Sequence, residues 1–267
     1  MAKTLLLAMV LFIASGVSAA AHDTWLIPDK FSVAPKSVVT LDLTSGMEFP
    51  KLDVGPKPER VESAKCRLAR RTFEMRDKSA AANSLQLKGE LAEPGVATLW
   101  VKLPPKALEL KPDEVEHYLE EVSPPKERRR EWAEMHPKRW RELYAKHQKT
   151  FVRVGQPSQP DMSWREPVGT FLEIVPEKDP TAVKAGDEFP VRVLKDGAPL
   201  AGFSLNAVAA NQAKGETRQT DAEGRVTFRL EKPGAWLLRG TDIRKSSKPD
   251  TDWESHFVTL TLEVGAQ

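Results

Sequence analysis

The sequence predicts a mainly β protein: two immunoglobulin-like or prealbumin-like β-sandwich domains with a charged helical insertion between them. Two observations favour this class. Short stretches alternate apolar and polar residues at every second position, and Pro, Gly and Asp cluster between these stretches as turns. A third observation is a run of dense charge with few β-branched residues from 111 to 150, which indicates helix.

The first 21 residues have the layout of a cleavable export signal. Lys3 gives a positive start, residues 5–17 are apolar, and small residues follow as far as Ala21. The apolar run is too short to span a bilayer comfortably, and no later stretch is apolar enough to do so. We therefore expect a mature chain that starts near His22, is periplasmic or secreted, and has no transmembrane segment.

Three neighbouring peptide bonds are preceded by the small residues that signal peptidase recognises. The sequence therefore allows three alternative starts of the mature chain. Cleavage after Ala21 makes His22 the first residue, and its amine and ring Nδ1 can chelate one metal ion. Cleavage after Ala20 places His22 second. Cleavage after Ala19 leaves an amine, two amides and an imidazole as a square-planar nitrogen set suited to Cu(II) or Ni(II). Each product places an imidazole beside an α-amine with a pKa of about 8; alternatively, His22 is only the polar end of the first strand.

Composition excludes several classes of function. Charged residues make up 29% of the chain and the formal net charge is +2, so no overall field selects nucleic acid as a partner. The single cysteine, Cys66, excludes an internal disulfide and a cysteine-rich metal site, and we predict it to be a packed side chain. Neither a Gly-x-Ser-x-Gly nor a His-Glu-x-x-His motif occurs, so hydrolase chemistry is not predicted.

The first β domain is predicted over residues 22–110. Its clearest strand is 38–43, where Val39, Leu41 and Leu43 share one face and which ends at Gly46. Shorter strands are predicted near 61, at 85–87 and at 96–103, separated by Pro and Gly.

The insertion is predicted over 111–150, with Pro137 placed to open a last helix whose packed face holds Trp140 and Tyr144. Glutamates interleave the arginines of 126–132, which predicts a solvated helix with intrahelical ion pairs rather than a nucleic-acid patch. Residues 151–168 are predicted as a returning strand and linker.

The second β domain is predicted over 169–267. The strands expected there are 171–176, 189–194, 203–208, 225–230, 235–239 and 256–264. In the last of them, Val258, Leu260, Leu262 and Val264 face one way.

Several stretches together carry a family resemblance. They are residues 21–28, the strand that ends at Gly46, Tyr118-Leu119, 141–149 before Val154-Gly155, 171–176, and 252–255 before 259–261. Through them nearly the whole mature chain resembles an exported bacterial family catalogued as domain of unknown function 4198. Some relatives are described as periplasmic parts of nickel or cobalt uptake systems, and many carry a His where this chain has Asp242.

The terminal histidine and the resemblance together suggest a metal site. We predict His22 as a ligand, with help from Asp242, Glu254 or His256, the last two of which share a strand face. The carboxylate at 242 shifts the preference away from soft or strongly nitrogen-loving metals. The resulting hypothesis is a non-enzymatic binding or accessory protein for nickel, cobalt or copper, or a complex of the metal, that serves a membrane transporter component.

Two other functions stay open at this point. One is a structural or adhesion-type β-sandwich without a ligand, in which exposed Trp132, Trp140 or Trp164 would make the contacts. The other is a copper oxidase with a histidine brace, since an N-terminal His on a β-sandwich also holds copper in enzymes that cleave polysaccharides oxidatively.

Overall fold

A computed structural model of the protein describes residues 22–267, so the predicted export signal and its cleavage bonds lie outside the described residues. The mainly β class is confirmed. Between residues 22 and 267 the strands are β1 (Asp23–Pro28), β2 (Ser32–Val33), β3 (Ser37–Gly46), β4 (Ser63–Leu68), β5 (Arg71–Glu74), β6 (Asp77–Ala80), β7 (Leu85–Leu91), β8 (Gly95–Lys102), β9 (Lys106–Leu110), β10 (Trp140–Val154), β11 (Leu172–Pro176), β12 (Asp187–Lys195), β13 (Ala198–Pro199), β14 (Ser204–Ala209), β15 (Glu216–Gln219), β16 (Arg225–Leu230), β17 (Gly234–Lys245) and β18 (Trp253–Val264). The helices are α1 (Pro112–Val122) and α2 (Lys126–Glu134).

A ten-stranded sheet takes strands from both halves of the chain. Its order is β15-β14-β17-β18-β10-β8-β4-β5, and β2 and β9 also pair with β10. The long strand β10 pairs antiparallel with β8 and parallel with β18. Two smaller sheets, β1-β3-β7-β6 and β11-β12-β13 with β16 beside β12, complete the fold. The two predicted β regions therefore share one sheet, and β10 connects them because it pairs with strands of both regions.

Each smaller sheet packs on a different part of the ten-stranded sheet. The predicted alternation in β3 is confirmed, because Val39, Leu41 and Leu43 are buried while Val38 is 62% exposed. These side chains share an apolar core with Cys66 and the β8 and β10 side chains. Burial contributes about 1.5–3 kcal/mol for each large aliphatic side chain. A second core forms between β11, β12 and β16 on one side and β14, β17 and β18 on the other.

Both faces of β18 are buried. Val258, Leu260, Leu262 and Val264 all enter the second core, as the alternation predicted. The opposite face is covered by β1: the hydroxyl of Thr259 donates to the Thr24 carbonyl at 2.6 Å, and that of Thr261 to the Leu26 carbonyl at 2.5 Å. The first strand of the described chain is therefore fastened to the middle of the large sheet.

The helix predicted to begin at Pro137 is wrong, because residues 140–154 form β10. Trp140 and Tyr144 are four residues apart, a spacing that fits one helical turn and also two strand repeats. Tertiary pairing decides between them: Trp140 pairs with Leu110 of β9 and stacks on Trp253 of β18 at 4.6 Å between ring centroids. Strand structure here depends on partners distant in sequence.

Helices α1 and α2 precede this strand. The intrahelical ion pairs expected in the arginine-rich run are present as Arg128–Glu131 and Arg130–Glu134. Within residues 22–267, neither helix has the length or apolar character needed to cross a membrane.

The tryptophans of the structural hypothesis are not exposed. Trp132, Trp140 and Trp164 are 3%, 0% and 4% exposed. Trp132 and Trp140 pack edge to face with ring centroids 5.6 Å apart, which joins α2 to the start of β10. These side chains belong to the packed interior, so the expected tryptophan contact surface is wrong.

We predict that Cys66 resists alkylation in the folded protein. The side chain is fully buried, and burial raises the pKa of its thiol to about 12. Since the thiolate is the nucleophile, iodoacetamide at pH 8 should label the native protein slower than the denatured protein by a factor on the order of 100 or more. Mass spectrometry of both time courses measures this, and equal rates would contradict the packing described for β4.

Candidate functional site

Side chains of β17, β18 and β10 divide between two faces of the ten-stranded sheet. We call one the β1 face, where Glu142, Lys146 and Ser255 lie on the side covered by β1 and α1. We call the other the β11 face, where His147 and His256 lie towards β11. Directly paired residues of adjacent strands share a face, and Asp242 is the cross-strand partner of His256.

His22 is held on the β1 face through its backbone. The ammonium of Lys146 donates to the His22 carbonyl at 2.7 Å, and Lys146 is only 6% exposed. Burial lowers the pKa of Lys146 to about 8, against the opposing effect of the nearby Asp23 and Glu142 carboxylates. The next residue is fixed as well, because the Asp23 carboxylate accepts a hydrogen bond from Arg239 of β17. The beginning of the described chain is thus anchored at two successive residues.

The backbone of His22 is hydrogen-bonded, but its imidazole is not fully so. Its Nδ1 atom is buried and has no hydrogen-bond partner among the residues that the structure describes. Leaving a buried polar atom unpaired costs about 1–3 kcal/mol, so such atoms call for a ligand, an ion or a water molecule. His22 therefore presents an unused nitrogen next to a firmly held backbone.

Glu142 forms the polar centre of the β1 face. Its carboxylate accepts hydrogen bonds from the Tyr118 hydroxyl at 2.8 Å, from Trp140 Nε1 at 2.6 Å and from the Ser255 hydroxyl. Burial raises the pKa of Glu142, although these hydrogen bonds act in the opposite direction. Because the three donors lie on α1, β10 and β18, the Glu142 carboxylate connects these elements and has a structural role.

The predicted carboxylate ligands lie on the β11 face and are paired with cations. Asp242 contacts the Lys195 ammonium at 2.7 Å. Glu254 contacts Arg244 at 2.8 Å and Lys248 at 2.9 Å, and the hydrogen bond from Lys248 is the main reason that the pKa of Glu254 is lowered.

The predicted ligands, His22 with help from Asp242, Glu254 or His256, divide between the two faces. Asp242, Glu254 and His256 lie on the β11 face, whereas the contact with Lys146 holds His22 on the β1 face. Over residues 22–267, no three His, Cys, Asp or Glu side chains converge as a metal-binding group would.

Sequence reasoning missed the partner of His256, which is His147. His147 Nε2 lies 3.0 Å from His256 Nδ1, and the two rings are nearly parallel at 13°. The ring of Phe171 covers His256 with centroids 4.1 Å apart. Burial lowers the pKa of His147 to about 3 and that of His256 to about 4, so both imidazoles are neutral at pH 7. No local sequence pattern predicts this pair, because the contact depends on the parallel register between β10 and β18.

The lining of a cleft of 430 Å³ includes Asp23, Arg239 and Asp242. Pairing between β14 and β17 ends at Arg239, so the next residues of β17 form an open sheet edge. A small ligand or hydrated ion in this cleft would meet carboxylates from both sides of the edge.

Comparison with known proteins gives one family match. A family model described as "Domain of unknown function (DUF4198)" matches residues 19–241. No curated protein is significantly similar to the chain.

Similar solved structures have low scores. The BSP domain of a biofilm-associated protein is 10% identical, with a TM-score of 0.22, and the match covers 89% of this chain and 29% of that one. A Salmonella alpha-2-macroglobulin mutant is 11% identical, with a TM-score of 0.26 and coverage of 96% and 16%. Part of native alpha-2-macroglobulin from Escherichia coli is 11% identical, with a TM-score of 0.22 and coverage of 89% and 94%. This chain spans less than a third of the first two proteins, and such scores support no assignment of function.

We predict an acid-dependent loss of stability from the His147–His256 pair. Both pKa values lie below the ordinary 6.5 in the folded protein, so the unfolded chain binds protons first as the pH falls. The contribution of the pair is fully present above pH 6.5 and decreases as the pH falls from there through the folded-state pKa values of about 4 and about 3. Each imidazole adds a slope of at most about 1.4 kcal/mol per pH unit.

Urea denaturation at pH 7, 5.5 and 4.5 measures this effect as the difference between the wild type and the double variant His147→Gln/His256→Gln. The variant should lose less stability on acidification. His117→Ala is the matched control, since His117 is exposed and contacts Glu121 of its own helix. Parallel pH profiles for the wild type and the double variant would refute the prediction.

Proposed function

The chain belongs to the family described as domain of unknown function DUF4198, and from the geometry of its first residues we propose that it is an exported binding protein for a divalent transition metal ion. Nickel, cobalt and copper are the metals that the proposed ligands favour, either as the free ion or as a small complex. His22 is the central ligand, and the α-amine released by signal cleavage is the second.

The unpaired Nδ1 atom of His22 is the observation that carries this proposal. Nδ1 and the α-amine of one histidine can close a chelate ring on a single metal ion, and neutral imidazole nitrogen suits Ni, Cu and Co. Cleavage one or two residues earlier preserves the pairing in a different form, with deprotonated amides added as ligands. Each product uses His22 Nδ1, which has no hydrogen-bond partner among residues 22–267.

Anchoring of the backbone supports the proposal in a second way. The contacts of Lys146 with the His22 carbonyl and of Arg239 with Asp23 hold the start of the mature chain against the large sheet. A preorganised ligand loses less conformational freedom when it binds, and this increases affinity. The 430 Å³ cleft beside Asp23 offers space for the remaining ligands of the metal, including those of a metal complex.

The proposal also includes the cellular location of the protein and the arrangement of its β modules. We place the protein in the periplasm or outside the cell, where a membrane transporter component would receive the metal, as the nickel and cobalt systems of the resembling family suggest. Two β-sandwich modules with the charged helical insertion act as the scaffold, and the metal lies where the first strand meets their shared sheet.

The alternative functions have less support from the geometry. A histidine brace needs a second imidazole beside His22, but His147 and His256 lie on the β11 face and contact each other. An adhesive module would use exposed aromatic side chains, whereas Trp132, Trp140 and Trp164 are packed inside.

Calorimetric titration tests the proposal directly. The exported protein is purified, its first residue is determined by intact mass, and it is titrated with Ni²⁺, Co²⁺, Cu²⁺ and Zn²⁺. We expect one site whose affinity is abolished or lowered by His22→Ala. The loss should exceed the roughly 10- to 100-fold decrease in affinity caused by mutating a residue that only supports a metal ligand.

Acetylation of the α-amine is the matched control, because it removes the second ligand and leaves His22 in place. It should weaken the same site. If the wild type, His22→Ala and the acetylated chain bind all four metals with equal affinity and stoichiometry, the proposal is wrong.

A further inference from the structure

We propose that a second cavity on the β1 face binds a small organic carboxylate with an apolar body. The cavity has a volume of 600 Å³ and lies between the loop that follows β3 (residues 47–51) and the turn between β14 and β15 (residues 211–213). Because Arg239 is its central cation, we call it the Arg239 cavity. The inference goes beyond the proposed function, since the lining does not include His22 and no metal takes part in the binding.

The Arg239 cavity combines apolar side chains with a small number of polar groups. Phe49 and Val208 are buried members of one apolar cluster, and Met47 also lines the cavity. Asn211 and Gln212 add side-chain amides to the lining. Ligand sites in proteins have this composition and volumes of about 300–1,000 Å³, and their few polar groups fix the orientation of the ligand. The apolar side chains therefore suit the body of a small organic ligand.

Arg239 has hydrogen-bond donors left over for such a ligand. A guanidinium carries five N–H donors. In Arg239, Nη1 donates to the Asp23 carboxylate and Nε donates to the Asn206 side chain at 3.3 Å, whereas Nη2 has no hydrogen-bond partner among residues 22–267. The side chain is 29% exposed, and the planar guanidinium matches the geometry of a carboxylate. Nη2 can therefore donate to an incoming carboxylate.

The charge of the lining favours an anion. Arg239 and Lys51 contribute two positive charges and Glu48 contributes one negative charge, so the lining has a net charge of +1. Asp23 offsets part of the Arg239 charge from outside the cavity, which makes Lys51 the second cation that an anion requires. Lys51 lies 3.6 Å from Glu48, but their side chains are 71% and 76% exposed, and such a surface pair contributes little to stability. Lys51 can therefore turn to a ligand at small cost.

The walls of the Arg239 cavity are held together by backbone hydrogen bonds. Ser45 and Val54 exchange two of them, at 2.8 and 3.0 Å, across the base of the loop that follows β3. The Asn211 N–H donates to the Phe49 carbonyl at 3.0 Å and joins this loop to the turn between β14 and β15. A preformed site loses less conformational freedom when it binds, and this increases affinity.

A matched pair of probes tests the inference on the mature wild-type chain freed of metal with a chelator. N-acetyl-leucine carries a carboxylate on an apolar body, and N-acetyl-leucinamide has the same body with a neutral amide. In two-dimensional nuclear magnetic resonance spectra, the acid should shift the backbone amides of Met47, Asn211 and Gln212. It should bind at least roughly 10-fold more tightly than the amide, the equivalent of one charged hydrogen bond. Equal affinities, or shifts confined to other parts of the chain, would overturn the inference.

Acetate separates a built site from an ordinary contact between ions. It has the charge of N-acetyl-leucine but lacks the apolar body, so it should bind more weakly than the acid by at least roughly 10-fold. Equal affinity for acetate and N-acetyl-leucine would reduce the site to a nonspecific anion contact and would overturn the proposal.

Two variants change the Arg239 cavity in different ways. Arg239→Gln removes the guanidinium and should weaken the binding of N-acetyl-leucine roughly 10- to 100-fold. Because this change also breaks the contact with Asp23, Ala213→Trp gives a second test that keeps every charge in place. Ala213 is exposed and lines the cavity, so a tryptophan there should fill part of the space and lower the affinity. Ala222→Trp, at an exposed turn outside the lining, is the matched control and should bind like the wild type.

Unchanged affinity in either cavity variant, with a native circular dichroism spectrum, would overturn the inference. Failure of the metal proposal would not, because His22→Ala removes the proposed metal ligand and leaves the cavity lining as it is. His22→Ala should therefore bind N-acetyl-leucine like the wild type. Loss of carboxylate binding in this variant would contradict a separate cavity.

Discussion

Parallel pairing between β10 and β18 is the constraint on which the other features depend. Residues 142–150 run beside 253–261, although more than a hundred residues separate them along the chain. The pairing brings Glu142 to the Ser255 hydroxyl and places His147 against His256. Because neighbouring residues of a strand point to opposite faces, it also sends Lys146 to the first strand while His147 faces the other way. One register therefore holds His22 on one face and joins His147 to His256 on the other.

Ionisable groups on both faces have partners. On the β11 face, Lys149 pairs with Glu173 in the interior, and Asp242 pairs with Lys195 near the surface. On the β1 face, Asp23 pairs with Arg239, Glu142 accepts hydrogen bonds from neutral groups, and Lys146 donates to a backbone carbonyl. Such pairing is what makes buried ionisable groups tolerable.

Local sequence patterns predict much of the fold, but they do not predict which residues meet at the candidate sites. The alternation in 38–43 and in 256–264 predicts the buried faces of β3 and β18 because a strand repeats every two residues. The spacing of Trp140 and Tyr144 fits helix and strand equally, and only the partners of β10 decide it. His147 was hidden by that error, since its contact with His256 requires a parallel register that no local pattern encodes. Face assignment likewise places His22 and Asp242 on opposite faces of the sheet, which no local pattern predicts.

The central claim is that the β10–β18 pairing holds His22 on the β1 face as a metal ligand and leaves His147 and His256 in contact with each other on the opposite face. A crystal structure of the processed chain soaked with nickel, with anomalous diffraction recorded at the nickel absorption edge, tests it most directly. The account predicts a peak beside the His22 imidazole and amine. A peak shared by His22 and His256, or peaks only at exposed side chains such as His117, would contradict it.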